Sequence, residues 1–119
     1  MTASHTFESS HTVNGAGHAR VTVAGELDHD TAPYVREAVA ACLAKRPKSL
    51  RLDLTGICFC DCSGVNALLG ARIAVLLAGA DLVVEGIGTQ LARLLSLIGA
   101  SDILTEGHAS ADTILARSE

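Results

Sequence analysis

A nearly uncharged helix that directly follows an apolar strand places the strongest constraint on the fold. Apolar residues recur from Leu50 to Phe59 as in a buried strand, and the segment from Val65 to Ala78 has only Asn66 and Arg72 as strongly polar side chains. A surface helix of a small domain normally shows a single apolar stripe. This helix is therefore expected either to be buried on all sides or to present apolar surface to a partner.

Strand and helix patterns alternate along the rest of the chain. Strands are predicted at 4–13, 20–24, 50–54, 82–84 and 103–104, and helices are predicted to begin at Thr31, Val65, Thr89 and Ser110, the last ending at Arg117. Asn14–Gly17 predicts the turn of an N-terminal hairpin. The alternating order favours parallel strands. The sequence therefore predicts one α/β domain over residues 1–119, with a small mixed, mostly parallel sheet after the hairpin and about four flanking helices.

Composition excludes several classes of function. The net charge is −4 and no basic stripe is visible, which argues against direct nucleic-acid binding. No secretory signal and no apolar run of about 18 residues is present, so we expect a cytoplasmic protein without membrane insertion. The four cysteines, Cys42, Cys58, Cys60 and Cys62, are then expected to be free thiols. The last three occur at every second residue, a spacing that is not typical of a zinc site.

Polar residues follow two of the predicted strands at the point where each strand ends. Asp28 and His29 follow one strand, and Asp61–Gly64 lies between another strand and the apolar helix. The carboxyl ends of parallel strands meet at one edge of a sheet, so Asp28 and Asp61 are expected to be neighbours. The first amides of a helix have no partner within the helix and favour negative charge. We therefore place the candidate site at this edge.

Catalytic interpretations of these residues have weak support. Ser63, His29 and Asp28 or Asp61 would make a hydrolase triad, but Ser63 does not lie in a Gly-x-Ser-x-Gly elbow. Gly86-Ile87-Gly88 lacks the third glycine of a dinucleotide fingerprint. We therefore assign no catalytic, cofactor-binding or metal-binding residues. Asp61 and Ser63 also have a simple interpretation as helix caps.

A family resemblance adds to this interpretation. Its motifs in this chain are Gly25–His29 with Thr31-Ala32, Leu52–Leu54, Phe59 with Asp61–Gly64, the apolar helix, and Leu94-x-x-Leu97-x-Gly99. In their order and spacing, over about residues 18 to 105, they resemble the STAS domain family, which includes bacterial anti-sigma factor antagonists. The resemblance implies a small sheet flanked by helices and a protein that is not an enzyme.

The resemblance also implies a partner-switching role. An unmodified antagonist binds an anti-sigma factor that is also a serine kinase, which frees a sigma factor for transcription; phosphorylation breaks the complex and a serine phosphatase resets it. The question whether the protein forms a homodimer is left open. The residues expected to contact the partner are Asp28, His29, Asp61, Cys62, Ser63, Gly64, Val65, Asn66 and Leu69.

The sequence departs from the family at the phosphoacceptor. The family pattern is Asp-Ser-[Ser/Thr]-Gly, with the first hydroxyl residue as acceptor, and here that position is Cys62. Three outcomes stay open: Ser63 is a displaced acceptor, the protein binds without phosphoregulation, or the thiol is redox-sensitive. We favour the second.

Two other functions are weighed against this one. The first is a STAS subunit of a lipid or anion transport system or of a stress-sensing assembly. The second, with weaker support, is a small hydrolase or nucleotide-binding enzyme.

Overall fold

The computed structural model describes residues 7–109 as a five-stranded sheet with three helices. In chain order the elements are β1 (Phe7–Val13), β2 (His18–Leu27), α1 (Ala32–Leu43), β3 (Ser49–Cys60), α2 (Cys62–Leu77), β4 (Asp81–Glu85), α3 (Thr89–Leu97) and β5 (Gly107–Ala109). The sheet order is β1-β2-β3-β4-β5. The central pairs β2–β3 and β3–β4 are parallel, and the edge pairs β1–β2 and β4–β5 are antiparallel.

This architecture confirms the α/β prediction with a mixed sheet and an N-terminal hairpin. The hairpin turn lies where the sequence places it, because the Gly17 amide donates to the Asn14 carbonyl at 3.2 Å. Three helices are present between residues 7 and 109. The predicted helix from Ser110 to Arg117 lies outside the described residues.

The core lies between one face of the sheet and the helices α1 and α2. Alternate residues of β2 are buried, as a strand with one covered face requires: Ala19, Val21 and Val23 are buried while Arg20 is exposed. Helix α1 packs against β1 and β2, α2 packs against β3 and β4, and the two helices contact each other. Each fully buried Val or Leu side chain contributes about 1.5–3 kcal/mol. A core of aliphatic residues therefore fixes where α2 lies on the sheet.

The opposite face of the sheet carries a network of ion pairs. Arg20 contacts Asp53 at 2.7 Å and Glu85 at 3.3 Å, and Arg51 contacts Glu85 at 2.9 Å. The Thr55 amide donates to the Asp53 carboxylate, and this bond is the main cause that lowers the pKa of Asp53, with a smaller contribution from Arg20. Such surface pairs contribute about 0–1 kcal/mol each. The charges of this network therefore neutralise one another locally.

Strands β2 and β3 are longer than the sequence predicts, and this changes the expected burial. Between their matched ends, β2 has 10 residues and β3 has 12, with two irregularities in the register. Strand β4 pairs only with Ser49–Asp53, so the second half of β3 extends beyond it. Phe59, expected in a buried strand, is 45% exposed, whereas the next residue, Cys60, is buried, because consecutive strand residues point to opposite faces.

Two smaller predictions are wrong. Ile103-Leu104 is a turn rather than a strand: the Ile103 amide donates to the Ala100 carbonyl at 3.0 Å, and the last strand is β5. Thr89 does not cap α3, because Gly88 occupies the N-cap position without a capping side chain.

Candidate functional site

The ends of β2 and β3 meet beside the start of α2. The Asp61 amide donates to the Leu27 carbonyl at 3.1 Å, which brings Asp28 next to Asp61 as predicted. The predicted site residues that surround this junction and keep some exposure form one surface. We call it the α2 corner, and it consists of Asp28, His29, Asp61, Cys62, Ser63, Asn66 and Leu69.

Asp61 is the N-cap of α2. Its backbone is extended (φ −106°, ψ −172°), and its Oδ1 accepts a hydrogen bond from the Gly64 amide at 2.9 Å. An aspartate in this role stabilises a helix by about 1 kcal/mol. Because α2 begins at Cys62, the segment Cys62–Gly64 is the first helical turn and not a loop. The interpretation of Ser63 as the cap is wrong, and Asp61 has that role.

Gly64 lets the first turn of α2 lie directly against the end of β2. A Cβ at this position would lie 2.6 Å from the Leu27 carbonyl oxygen and 2.7 Å from the Cys60 Sγ. Gly64 is buried, so it does not offer a contact surface to a partner. The predicted partner contact of Gly64 is therefore corrected to a packing role: its lack of a side chain positions the α2 corner.

Helix α2 has one buried side and one exposed side. Val65 is 0% exposed and packs in the core, so its prediction as a partner contact is wrong. Cys62 and Asn66 are exposed, and Leu69 is half-buried. The exposed side stays apolar toward the end of the helix, where Leu77 is 71% exposed. The uncharged helix therefore both fills the core and presents apolar surface.

The turn that carries Asp28 and His29 is fixed by its own hydrogen bonds. The Asp28 Oδ1 accepts from the amides of Asp30 at 3.0 Å and Thr31 at 3.1 Å. The Thr31 hydroxyl accepts from the Asp28 amide and donates to the Glu26 carbonyl, each at 2.9 Å. Thr31 occupies the N-cap position of α1 but its side chain caps no helical amide, contrary to the predicted role. The turn fixes the backbone that carries the exposed His29 of the α2 corner.

The cysteines are free thiols, as predicted, and differ in exposure. Cys42 and Cys60 are buried, whereas Cys58 and Cys62 are exposed. Burial raises the pKa of the Cys60 thiol to about 12, with smaller contributions from Asp61 and Cys62. Gln90 of α3 bonds both the amide and the carbonyl of Cys60 at 3.0 Å. Sequence reasoning did not identify Gln90, because nothing in the sequence marks a glutamine that satisfies the end of a distant strand.

The alternative chemistries find little support in this geometry. Among the hydrogen bonds of residues 7–109, none joins Ser63 to His29. Within the same residues no group of three or more His, Cys, Asp or Glu side chains could hold a metal ion. Gly86 has φ +84°, and a Cβ there would collide with the Thr55 amide. The close approach of these two backbone segments therefore accounts for this glycine.

None of the helices described between residues 7 and 109 has the length and apolar character that a membrane span requires.

Comparison with known sequences identifies relatives with a common description. The model of the STAS domain family matches residues 11–114. An anti-sigma-B factor antagonist of Listeria monocytogenes is 37% identical over 87 residues, which cover 73% of this chain and 76% of the relative. The anti-sigma-B factor antagonist of Bacillus subtilis is 32% identical over 85 residues, with 71% and 77% covered.

Comparison with solved structures supports the fold. An anti-sigma factor antagonist from Mycobacterium paratuberculosis superimposes with a TM-score of 0.68 at 23% identity over 100% of both chains. Unphosphorylated SpoIIAA, also an anti-sigma factor antagonist, gives 0.65 at 16% identity, with 95% of this chain and 96% of that chain covered. A sulfate transporter family protein from Wolinella succinogenes gives 0.65 at 19% identity, with 79% and 75% covered. At these identities the structural likeness establishes the fold alone.

Proposed function

Because the chain belongs to the STAS domain family, we propose that it is an anti-sigma factor antagonist, which binds an anti-sigma factor and so releases a sigma factor for transcription. The names of the relatives that are 32% and 37% identical support this function. The observation in the molecule itself that carries the proposal is the α2 corner. There a turn fixed by its own hydrogen bonds lies next to the amino end of α2, where Cys62 and Asn66 are exposed and Leu69 is half-buried.

The α2 corner has the properties of a docking surface. Its backbone is fixed before binding by the Asp61 cap and by the hydrogen bonds of the Asp28 turn, so little ordering entropy opposes association. Leu69 supplies apolar area, and Asn66 and His29 supply polar groups at its rim. A small apolar centre with a polar rim is typical of protein interfaces. We expect the partner to be an anti-sigma factor of the serine-kinase type.

We further propose that binding in this protein does not require a phosphate switch. Cys62 is the first residue of α2 and is exposed, so it occupies the accessible position but lacks a hydroxyl group. Ser63 has a hydroxyl group but is half-buried against the helix start. The wild-type chain is therefore expected to stay unmodified and binding-competent.

Reconstitution with the cognate anti-sigma factor and sigma factor tests the function. Added antagonist is expected to displace the sigma factor, measured as recovery of transcription from a sigma-dependent promoter in vitro. A paired affinity capture from bacterial extract should recover a kinase-like anti-sigma factor. Failure to release the sigma factor, together with capture of another class of protein, contradicts the proposal.

A substitution at Cys62 tests the missing switch. Wild type and Cys62→Ser are incubated with the anti-sigma kinase and ATP, and intact masses are compared. Only Cys62→Ser is expected to gain one phosphate, because it supplies an exposed hydroxyl at the helix amino end, where anions are favoured. Ser63→Ala is the control, and it should behave as wild type. One phosphate per chain on wild type, lost in Ser63→Ala, would contradict the proposal.

The transport-associated function is kept as a second candidate because a sulfate transporter family protein shares the fold. The capture experiment separates the two, since a transport subunit and a kinase-like anti-sigma factor are readily distinguished by mass spectrometry.

A further inference from the structure

A second surface lies beside the α2 corner, in a groove between the β1–β2 hairpin and the start of α1. Among residues 7–109, its lining includes Phe7, Glu8, Glu26, Asp28, Asp30 and Tyr34 and no Lys or Arg. We call it the acidic groove. It therefore carries four formal negative charges without an opposing charge in its own wall.

The acids of the groove are not neutralised by the ion pairs seen elsewhere. The salt bridges within residues 7–109 join Arg20 and Arg51 to Asp53 and Glu85, and none involves Glu8 or Glu26. Glu8 pairs with Ala24 across the hairpin, so Glu26 is its diagonal neighbour on the same strand face, about 7–8 Å away. Two exposed carboxylates are thus held side by side on rigid strands.

An aromatic pair forms a second wall and is independent of the charges. The rings of Phe7 and Tyr34 lie with centroids 5.8 Å apart, and Tyr34 is 52% exposed. An exposed aromatic face attracts a cation, and arginine stacks on such a face more often than lysine does. Phe7 and Glu8 are consecutive strand residues and point to opposite faces of the hairpin, and Phe7 packs against the core side. The groove thus offers two separate features that favour arginine side chains of an extended segment: the carboxylates of Glu8 and Glu26 on one face, and an exposed ring on the other.

The acidic groove is continuous with the α2 corner. Asp28 belongs to both, and Glu26 is paired in register with Phe59 of β3, which ends next to Asp61. Within the described sheet, β1 is an edge strand, so its outer side offers unpaired backbone groups along the groove. A partner seated on the corner can therefore extend a segment into the groove without crossing another element.

We propose that the acidic groove binds an extended, arginine-containing segment of the same protein that docks on the α2 corner. The inference rests on the proposed function and deepens it, because it specifies the chemistry of the partner: a basic segment adjacent to an apolar contact. The corner supplies apolar contact, and the groove supplies charge complementarity, which speeds association and fixes orientation.

The charge part is tested with a defined probe. A labelled ten-residue peptide of alternating arginine and serine is titrated into the full chain at about 50 mM and about 300 mM salt, where screening differs strongly. The double variant Glu8→Gln, Glu26→Gln is expected to weaken binding at least tenfold and to reduce the salt dependence. The control Glu37→Gln, Asp102→Asn removes two exposed acids that are not part of the groove wall. It is expected to bind as wild type.

The aromatic part has its own matched pair. Tyr34→Ala is expected to lower the affinity for the arginine peptide severalfold, whereas Tyr34→Phe keeps the ring and should bind the peptide as wild type does. If the groove double variant and the control double variant weaken peptide binding equally, binding depends only on net charge, and the proposal is overturned. Full-strength peptide binding by the groove variant also overturns it.

The purified anti-sigma factor distinguishes this proposal from the function on which it rests. If the anti-sigma factor binds wild type and the groove variants equally well but does not bind Leu69→Asp, the groove proposal fails and the antagonist function stands. If no anti-sigma factor binds while the peptide still follows the groove residues, the antagonist function fails and the groove remains a cation-binding surface.

Discussion

The two sides of α2 have similar compositions but differ in burial. Val65 and Asn66 are adjacent in the chain, yet Val65 is 0% exposed in the core and Asn66 is exposed at the α2 corner. One helical turn later the same division separates the buried Leu68 from the half-buried Leu69. Substitutions on the buried side should therefore change folding, and substitutions on the exposed side near the amino end of the helix should change binding. The contrast shows that an uncharged helix need not be wholly buried or wholly free.

The largest effect is expected for Val65→Asp. This change places an unpaired carboxylate in the core, and we expect the free energy of unfolding to fall by about 4 kcal/mol or more, a large part of a small domain's stability. Urea denaturation followed by circular dichroism measures the loss. Val65→Ala, which only removes methyl groups, should cost less. A Val65→Asp protein with wild-type stability would break the distinction between the two sides.

Gly64→Ala should have an intermediate effect that involves both sides. The added methyl group would lie against the Leu27 carbonyl, so either the helix start or the end of β2 must move. We expect a loss of about 1–3 kcal/mol in the free energy of unfolding, as for other overpacked sites. Partner affinity should also fall, because the first turn carries Cys62 and Ser63. Gly70→Ala is the control, since a Cβ there meets nothing within 4 Å.

The smallest effect is expected for Leu77→Asp. Leu77 is 71% exposed at the far end of α2, so a charged side chain there stays solvated and should change stability by about 0.5 kcal/mol or less. Affinity for the partner should be unchanged, as measured by calorimetric titration. A large loss of affinity would move the docking surface along the helix and away from the corner.

Much of the fold follows from the sequence because periodicity reports burial. The Asn14–Gly17 turn and the alternation in β2 predicted the hairpin and the covered face, and the alternating order of strands and helices predicted the parallel pairs. The length of β3 was not predictable in the same way, because the register irregularities and the end of β4 decide which residues of its second half are covered. Phe59 shows the result: an apolar side chain that continues a strand pattern but lies outside the covered face.

The proximity of the candidate site residues was predictable, but their structural roles were not. Topology brought Asp28 next to Asp61, as the parallel order implied. Asp61 rather than Ser63 caps α2, the helix begins at Cys62, and Val65 lies in the core. Sequence patterns do not locate a helix start to within one or two residues. In a helix that is apolar around most of its circumference, they also do not show which side faces the sheet.

The central claim is that the partner contacts the exposed side of α2 at its amino end. Its most direct test is the dissociation constant of the anti-sigma factor for wild type, Leu69→Asp and Leu77→Asp, measured by calorimetry after urea denaturation has established that each variant is folded. We predict that Leu69→Asp weakens binding at least tenfold, about 1.4 kcal/mol, and that Leu77→Asp leaves it unchanged. Equal affinity for Leu69→Asp and wild type would contradict the account.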